Sequence, residues 1–174
     1  MRNRLPSRKE HRLKNFDYAT CGAYFITICT ENRKNVLSEI IESERSNVVG
    51  EGFPLPILTE YGEITDKFIN EITAKYPGVA VDCYVIMPNH IHLLLSVADG
   101  GGRGNPSPTI CSVVGWLKYR ITKEINSTKN EIEKVFQRSF YDHVVRGRAD
   151  YEEIFRYVYE NPARWKTDEL YNDK

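Results

Sequence analysis

This 174-residue chain lacks most of the features that define a class at first sight. Its four cysteines (Cys21, Cys29, Cys83, Cys111) show no CxxC pairing and sit mostly in apolar stretches. That excludes a disulfide framework and a cysteine zinc cage, and reads as small buried hydrophobes in a reducing compartment. No apolar run approaches the roughly 18–20 residues needed to cross a bilayer. The N-terminus is basic but no apolar segment follows it, so a secretory signal is not expected. The glycines of "ADGGGRGNPSP" (98–108) precede no Walker lysine and Ser/Thr, which excludes a phosphate cradle of that kind. There is no internal repeat. A single soluble, cytoplasmic domain with a sizeable core is the expectation.

Net charge is also lacking: 24 Lys and Arg balance 24 Asp and Glu. The distribution is uneven, however. Residues 1–14 carry six bases (Arg2, Arg4, Arg8, Lys9, Arg12, Lys14) against Glu10 alone. From Glu39 to Asp82 there are nine acids and three bases, and from Arg103 to Arg148 nine bases and four acids. A neutral chain segregated in this way can still present one positive face, because fields act locally.

Residues 1–17 read as a basic arm and 18–174 as a single domain. "GAYFITICT" (22–30), aromatic and β-branched, reads as a strand. A long irregular or hairpin-like connection follows over 38–57. Tyr61, Ile64, Phe68 and Ile72 recur at helical spacing over 59–76, where "YPG" ends the pattern. Two strands, 79–87 and 90–97, are hinged at Pro88-Asn89. A second helix spans about 109–126, with Ile110, Val113, Val114, Leu117, Ile121 and Ile125 on one stripe. "YDHVVR" (141–146) resembles a strand, and Asp150 with Glu153 resembles a capping box opening the last helix. The order β–α–β–β–α–β–α implies an α+β fold, an antiparallel sheet with helices mainly on one face.

Within "VIMPNHIHLL" (85–94), His90 and His92 project from the same side of a strand, while Ile91, Leu93, Leu95 and Val97 project from the other. Two imidazoles so placed can converge on one metal ion; they can equally be hydrogen-bonded core residues. A histidine-triad hydrolase needs a third histidine where Leu94 stands, and a twin-histidine phosphoesterase needs Ser or Thr two residues after each histidine; neither pattern is met. In the last helix, Tyr151, Ile154, Phe155 and Val158 form an apolar stripe at about 100° per residue. Tyr157 and Asn161 lie together on one flank and Tyr159 on the other. Asn161 precedes Pro162, which puts it at or just beyond the helix end.

Three blocks in order, "MPNHIH", "FQRSFYDHVVR" and "YVYENPARW", resemble the REP-associated tyrosine transposases, within the single-tyrosine HUH endonucleases and beside the insertion-sequence transposases. The likeness runs from about Ala23 to Tyr171 and includes "LTEYGEI", "VVGWLKYR" and "NPARWKTDELYN". It implies a ferredoxin-like, RRM-like sheet, a metal pair at His90 and His92, and Tyr157 as nucleophile. Asn161 falls where insertion-sequence relatives carry a glutamine ligand, and is one methylene shorter. The implied activity is nicking and strand transfer on single-stranded or hairpin DNA through a 5′-phosphotyrosine, without ATP. The implied cofactor is Mg²⁺ or Mn²⁺, and imidazole ligands lean toward Mn²⁺. A DNA enzyme of this kind would be nucleoid-associated and either a monomer or a homodimer. The alternative is a domesticated hairpin-binding protein with little cleavage.

Candidate DNA contacts are Arg2, Arg4, Arg8, Lys9 and Arg12 in the arm, Lys118, Arg120 and Lys123 on the second helix, and Arg138, His143, Arg146 and Arg148 around the last strand. Tyr119, Tyr141 and Trp116 could stack on unpaired bases, although core packing is the commoner fate of such rings. His143 could instead make a structural hydrogen bond, and Asn32, Arg33 and Lys34 could form a solvated turn.

Overall fold

A computed structural model describes residues 21–41, 56–98, 109–129 and 132–172. The basic arm, residues 42–55 of the long connection and residues 99–108 of the glycine-rich loop lie outside the described residues. Strand β1 (Gly22–Cys29) is buried on both faces through its middle and is a central strand. It pairs antiparallel with β5 (His90–Val97) on one side and β6 (Tyr141–Val144) on the other, and β4 (Val79–Ile86) completes the order β4-β5-β1-β6. With α1 (Glu60–Asn70) between β1 and β4, and α3 (Ile110–Lys129) between β5 and β6, this is the ferredoxin-like arrangement. The 38–57 connection includes a minimal hairpin, β2 (Ser38–Glu39) against β3 (Ile57–Leu58).

The strand alternation divides the molecule into two cores. On one face Tyr24, Ile26, Ile28, Ile91, Leu93 and Leu95 pack under α1, the short α2 (Ile72–Lys75) and α3. Each such side chain contributes about 1.5–3 kcal/mol by leaving water. On the other face Phe25, Val85, Met87 and Leu94 pack against Ile154 and Val158 of α4 (Gly147–Glu160) and against Trp165. A bulge between Val81 and Cys83 absorbs one residue, so Cys83 and Val85 keep to the α4 side. The Pro88-Asn89 reversal is closed by Met87 N–H donating to His90 O at 2.9 Å.

Helix α1 starts at a Thr59 cap, whose Oγ1 accepts from Gly62 N–H at 3.2 Å. Gly62 lets this turn approach Leu37: a Cβ there would lie 2.0 Å from Leu37 O. Several boundaries differ from expectation. The 59–76 helix breaks at Glu71, α3 continues to Lys129, and α4 opens at Gly147, three residues before the expected cap. Gly147 adopts φ +84°, which suits glycine and turns the chain directly from β6 into the helix. Asp150 therefore sits inside the first turn and reaches back to accept from Arg146 N–H at 2.7 Å. Phe155, expected in the apolar stripe, is 43% exposed, because the sheet meets only the narrower ridge of Ile154 and Val158. Among the described residues, no helix is long and apolar enough to cross a membrane.

Candidate metal and tyrosine site

The β5 alternation directs His90 and His92 to the α4 face, where both are buried. Their Nε2 atoms are 3.1 Å apart. His90 Nδ1 faces Asn89 Oδ1 at 2.8 Å; an amide oxygen only accepts, so this nitrogen carries the proton and Nε2 presents its lone pair. His92 Nδ1 bonds Thr27 Oγ1 at 2.9 Å. Thr27 and His92 are register partners in adjacent strands, so the sheet itself supplies this contact. Burial pushes the His90 imidazole down to about 4 against an opposing pull from Asp168. Burial, then the neighbouring His90, holds His92 well below the usual histidine value. Both rings are neutral near neutral pH, the state that ligates metal.

Helix α4 lies across this face. Tyr157 Oη is 3.4 Å from His92 Nε2, and its ring meets Phe25 edge-on at 5.9 Å. Burial, reinforced by the Asp168 charge, pushes its phenol up to about 12. Asn161 ends the helix in αR geometry and continues it into a 3-10 segment, Asn161–Thr167. Its Nδ2 donates to Asp168 Oδ2 at 3.0 Å, whereas its buried Oδ1 has no hydrogen-bond partner.

Asp168 is the residue that sequence reasoning missed. A ligand atom of Asp168 lies within 4.8 Å of those of His90 and His92, and the carboxylate stands 3.5 Å from the Tyr157 hydroxyl. It lies in "NPARWKTDELYN", but eleven residues beyond the tyrosine and past a change of helix type, where no periodicity reports it. The tail that carries it is pinned from several sides. Asn89 Nδ2 donates to Leu170 O at 2.9 Å, Asn35 Nδ2 to Asn172 O at 2.8 Å, and Trp165 packs its ring 5.9 Å from that of His90.

The residues fit a divalent ion. Two nitrogens bound at about 2.1 Å and at right angles would be about 3.0 Å apart, close to the separation of the two Nε2 atoms. Each imidazole is oriented through its other nitrogen, as metal-binding histidines are. The orphaned Asn161 oxygen and the Asp168 carboxylate add hard donors beside them.

A cavity of about 690 Å³ opens next to this cluster, floored by Phe25, Thr27 and Tyr141 and walled by Gln137, Ser139 and Leu170. The expected DNA contacts are divided by the structure. Lys118 is turned inward, donating to the carbonyls of Gln137 and Arg138, and burial lowers its pKa. Arg120 stacks over Phe68 at 4.7 Å, and Trp116 packs edge-on against Phe68 and Tyr76. His143 Nε2 pairs with Asp150 Oδ2 at 3.0 Å, tying β6 to α4. Lys123, Arg138, Arg146 and Arg148 are exposed. Arg148 pairs with Glu152 one turn on. The arm residues Arg2, Arg4, Arg8, Lys9 and Arg12 lie outside the described residues. Arg33, in the turn after β1, lines the cavity with φ +53°.

Fold and site together define a ferredoxin-like protein in which a buried histidine pair faces a tyrosine-bearing helix. The chain belongs to the IS200-like transposase family: residues 19–161 match the family model described as "Transposase IS200 like". A transposase-like function of binding and nicking DNA goes with that membership, and the family is generally metal-dependent. An uncharacterized protein of Haemophilus influenzae is 30% identical over 95% of this chain and 94% of its own length. A second protein of that organism, named "Putative REP-associated tyrosine transposase", is 23% identical over 90% of this chain and 79% of its own. A solved REP-associated tyrosine transposase, bound to a REP hairpin, superposes with a TM-score of 0.59 at 18% identity, covering 88% of this chain and 73% of that one. At that identity the likeness is one of fold.

Proposed function

We propose that this protein is a metal-dependent DNA-nicking and strand-transfer enzyme acting on single-stranded or hairpin DNA. The supporting observation is that the Tyr157 hydroxyl lies 3.4 Å from His92 Nε2 while His90 Nε2 lies 3.1 Å beyond. His90, His92, Asp168 and the free oxygen of Asn161 would hold Mg²⁺ or Mn²⁺. When bound there, the ion supplies positive charge to a non-bridging oxygen of the scissile phosphate. Tyr157 Oη attacks phosphorus, the bond to the 3′-oxygen breaks, and the chain is left joined to a 5′-phosphate beside a free 3′-hydroxyl. The phenol proton passes to water or to a neighbouring group, and the departing 3′-oxygen takes one up. One phosphodiester replaces another of similar energy, so the step reverses without ATP. Thr27 and Asn89 hold the imidazoles in register throughout.

A second reading, a hairpin-binding relative with little cleavage, is favoured by one observation: the Asp168 carboxylate stands beside the phenol and repels an incoming phosphate. The two readings separate in one experiment. Hairpin oligonucleotides copied from inverted repeats flanking the gene, incubated with the protein and Mn²⁺, are expected to yield a covalent protein–DNA band on denaturing gels. Tyr157→Phe is expected to abolish the band and leave affinity within about two-fold, since it removes only one rim hydroxyl. Binding without any adduct in the native chain would favour the second reading.

A further inference from the structure

The three rings that the sequence offers for base stacking have different fates. Trp116 is packed against Phe68 and Tyr76, and Tyr119 is an exposed α3 residue with Lys123 Nζ 5.9 Å from its ring. Tyr141 stands on the sheet face beside the candidate site and is 53% exposed. Among the described residues its ring meets no other ring and its hydroxyl makes no hydrogen bond. Register places it with care: Tyr141 pairs with Thr27, and Thr27 pairs with His92, so the three side chains form one row across β6, β1 and β5. Two strand spacings put Tyr141 about 10 Å from His92. The cavity between them, about 690 Å³, is of the size that holds a nucleotide.

This platform is built rigidly. Gln137 N–H donates to Cys29 O at 3.0 Å and Val145 N–H to Ala23 O at 2.9 Å, fixing the chain on either side of Tyr141 to β1. Lys118 Nζ donates to the carbonyls of Gln137 and Arg138, and Arg33, in the turn after β1, lines the same cavity. An exposed aromatic ring, fixed by the sheet in a cavity that Arg33 also lines and one nucleotide's reach from the candidate phosphate site, matches the way unpaired bases are held on sheet surfaces.

We infer that Tyr141 is the stacking platform for an unpaired base adjacent to the scissile phosphate, so that the substrate strand crosses the sheet from β5 toward the β6 edge. The inference rests on the DNA reading above and assigns a positioning residue and a strand path within it.

The test is fluorescence anisotropy of the full-length chain with a labelled oligothymidylate strand and with the same strand made abasic. Tyr141→Ala is expected to weaken binding about 5- to 100-fold, and Tyr141→Phe and Tyr141→Trp to stay within about two-fold, because stacking uses the ring face. On the abasic strand the native chain and Tyr141→Ala are expected to bind alike. Thermal melting checks that the exposed substitution leaves the fold intact. If Tyr141→Ala binds oligothymidylate as the native chain does, the platform assignment falls while the DNA reading stands. An equal loss in Tyr141→Phe would also overturn it, in favour of a hydroxyl contact. If the native chain binds neither strand, the platform assignment falls, and the hairpin reading is judged separately by the adduct assay.

Discussion

His92 takes its role from neighbours on three separate strands and helices. Thr27 orients it, His90 shares its Nε2 side, and Tyr157 covers it. The HxH spacing makes the pair legible in sequence, since alternation alone puts both rings on one face. Tyr157 and Asn161 are legible through helical spacing and resemblance. Asp168 is not, because its nearness to the histidines depends on a tail whose course is set by hydrogen bonds to Asn35 and Asn89. If the carboxylate is a ligand, Asp168→Asn should weaken Mn²⁺ binding at least about ten-fold, the lower end of what altering even indirect metal contacts costs. Isothermal titration calorimetry measures this without reference to cleavage. Unchanged affinity would leave Asn161 as the sole oxygen donor from this segment.

At the scale of elements, α4 decides where Tyr157, the proposed nucleophile, stands, and its first turn fixes α4 to β6. Asp150 accepts from Arg146 N–H and pairs with His143, and these contacts, the backbone one first, hold its carboxyl below the ordinary aspartate value. A carboxyl lowered in the folded state stabilises fully above its unfolded value and loses that contribution as pH falls through the lowered one. Asp150→Asn should therefore melt below the native chain near neutrality. The gap should close only as the pH is taken below the ordinary carboxylate range and through the lowered value, where the native carboxyl also takes up a proton. Melting curves across that range check it, and a gap independent of pH would refute the tether. The sequence marked Asp150 as a helix-start residue but put it at the cap; the positive φ of Gly147 starts the helix earlier, and only the tertiary path of β6 calls for that turn.

At the scale of the whole molecule, the sheet separates two tasks. One face is closed by α1, α2 and α3, and the other is only half covered by α4, which leaves the groove between Tyr157 and Tyr141 open. Two of the three basic residues expected to meet DNA from α3, Lys118 and Arg120, serve packing instead, and Lys123 alone of them is exposed. We propose that the arm, residues 1–17, contributes sequence-independent affinity. Deleting it removes six bases, so the slope of log affinity against log salt should become shallower by up to about 5. Anisotropy at several salt concentrations measures the slope. An unchanged slope would exclude the arm from binding.

Sequence alone determined the strand and helix order, the face on which the histidines lie and the family resemblance, because alternation, helical period and short motifs are local properties of the chain. The tertiary structure decided which polar side chains meet. The 3.1 Å histidine pair, the Asp168 carboxylate beside it and the Thr27–His92–Tyr141 neighbourhood all join residues far apart in sequence. Such contacts follow from sheet register and tail docking, which depend on how buried surfaces of the whole chain fit together, and no local pattern encodes them.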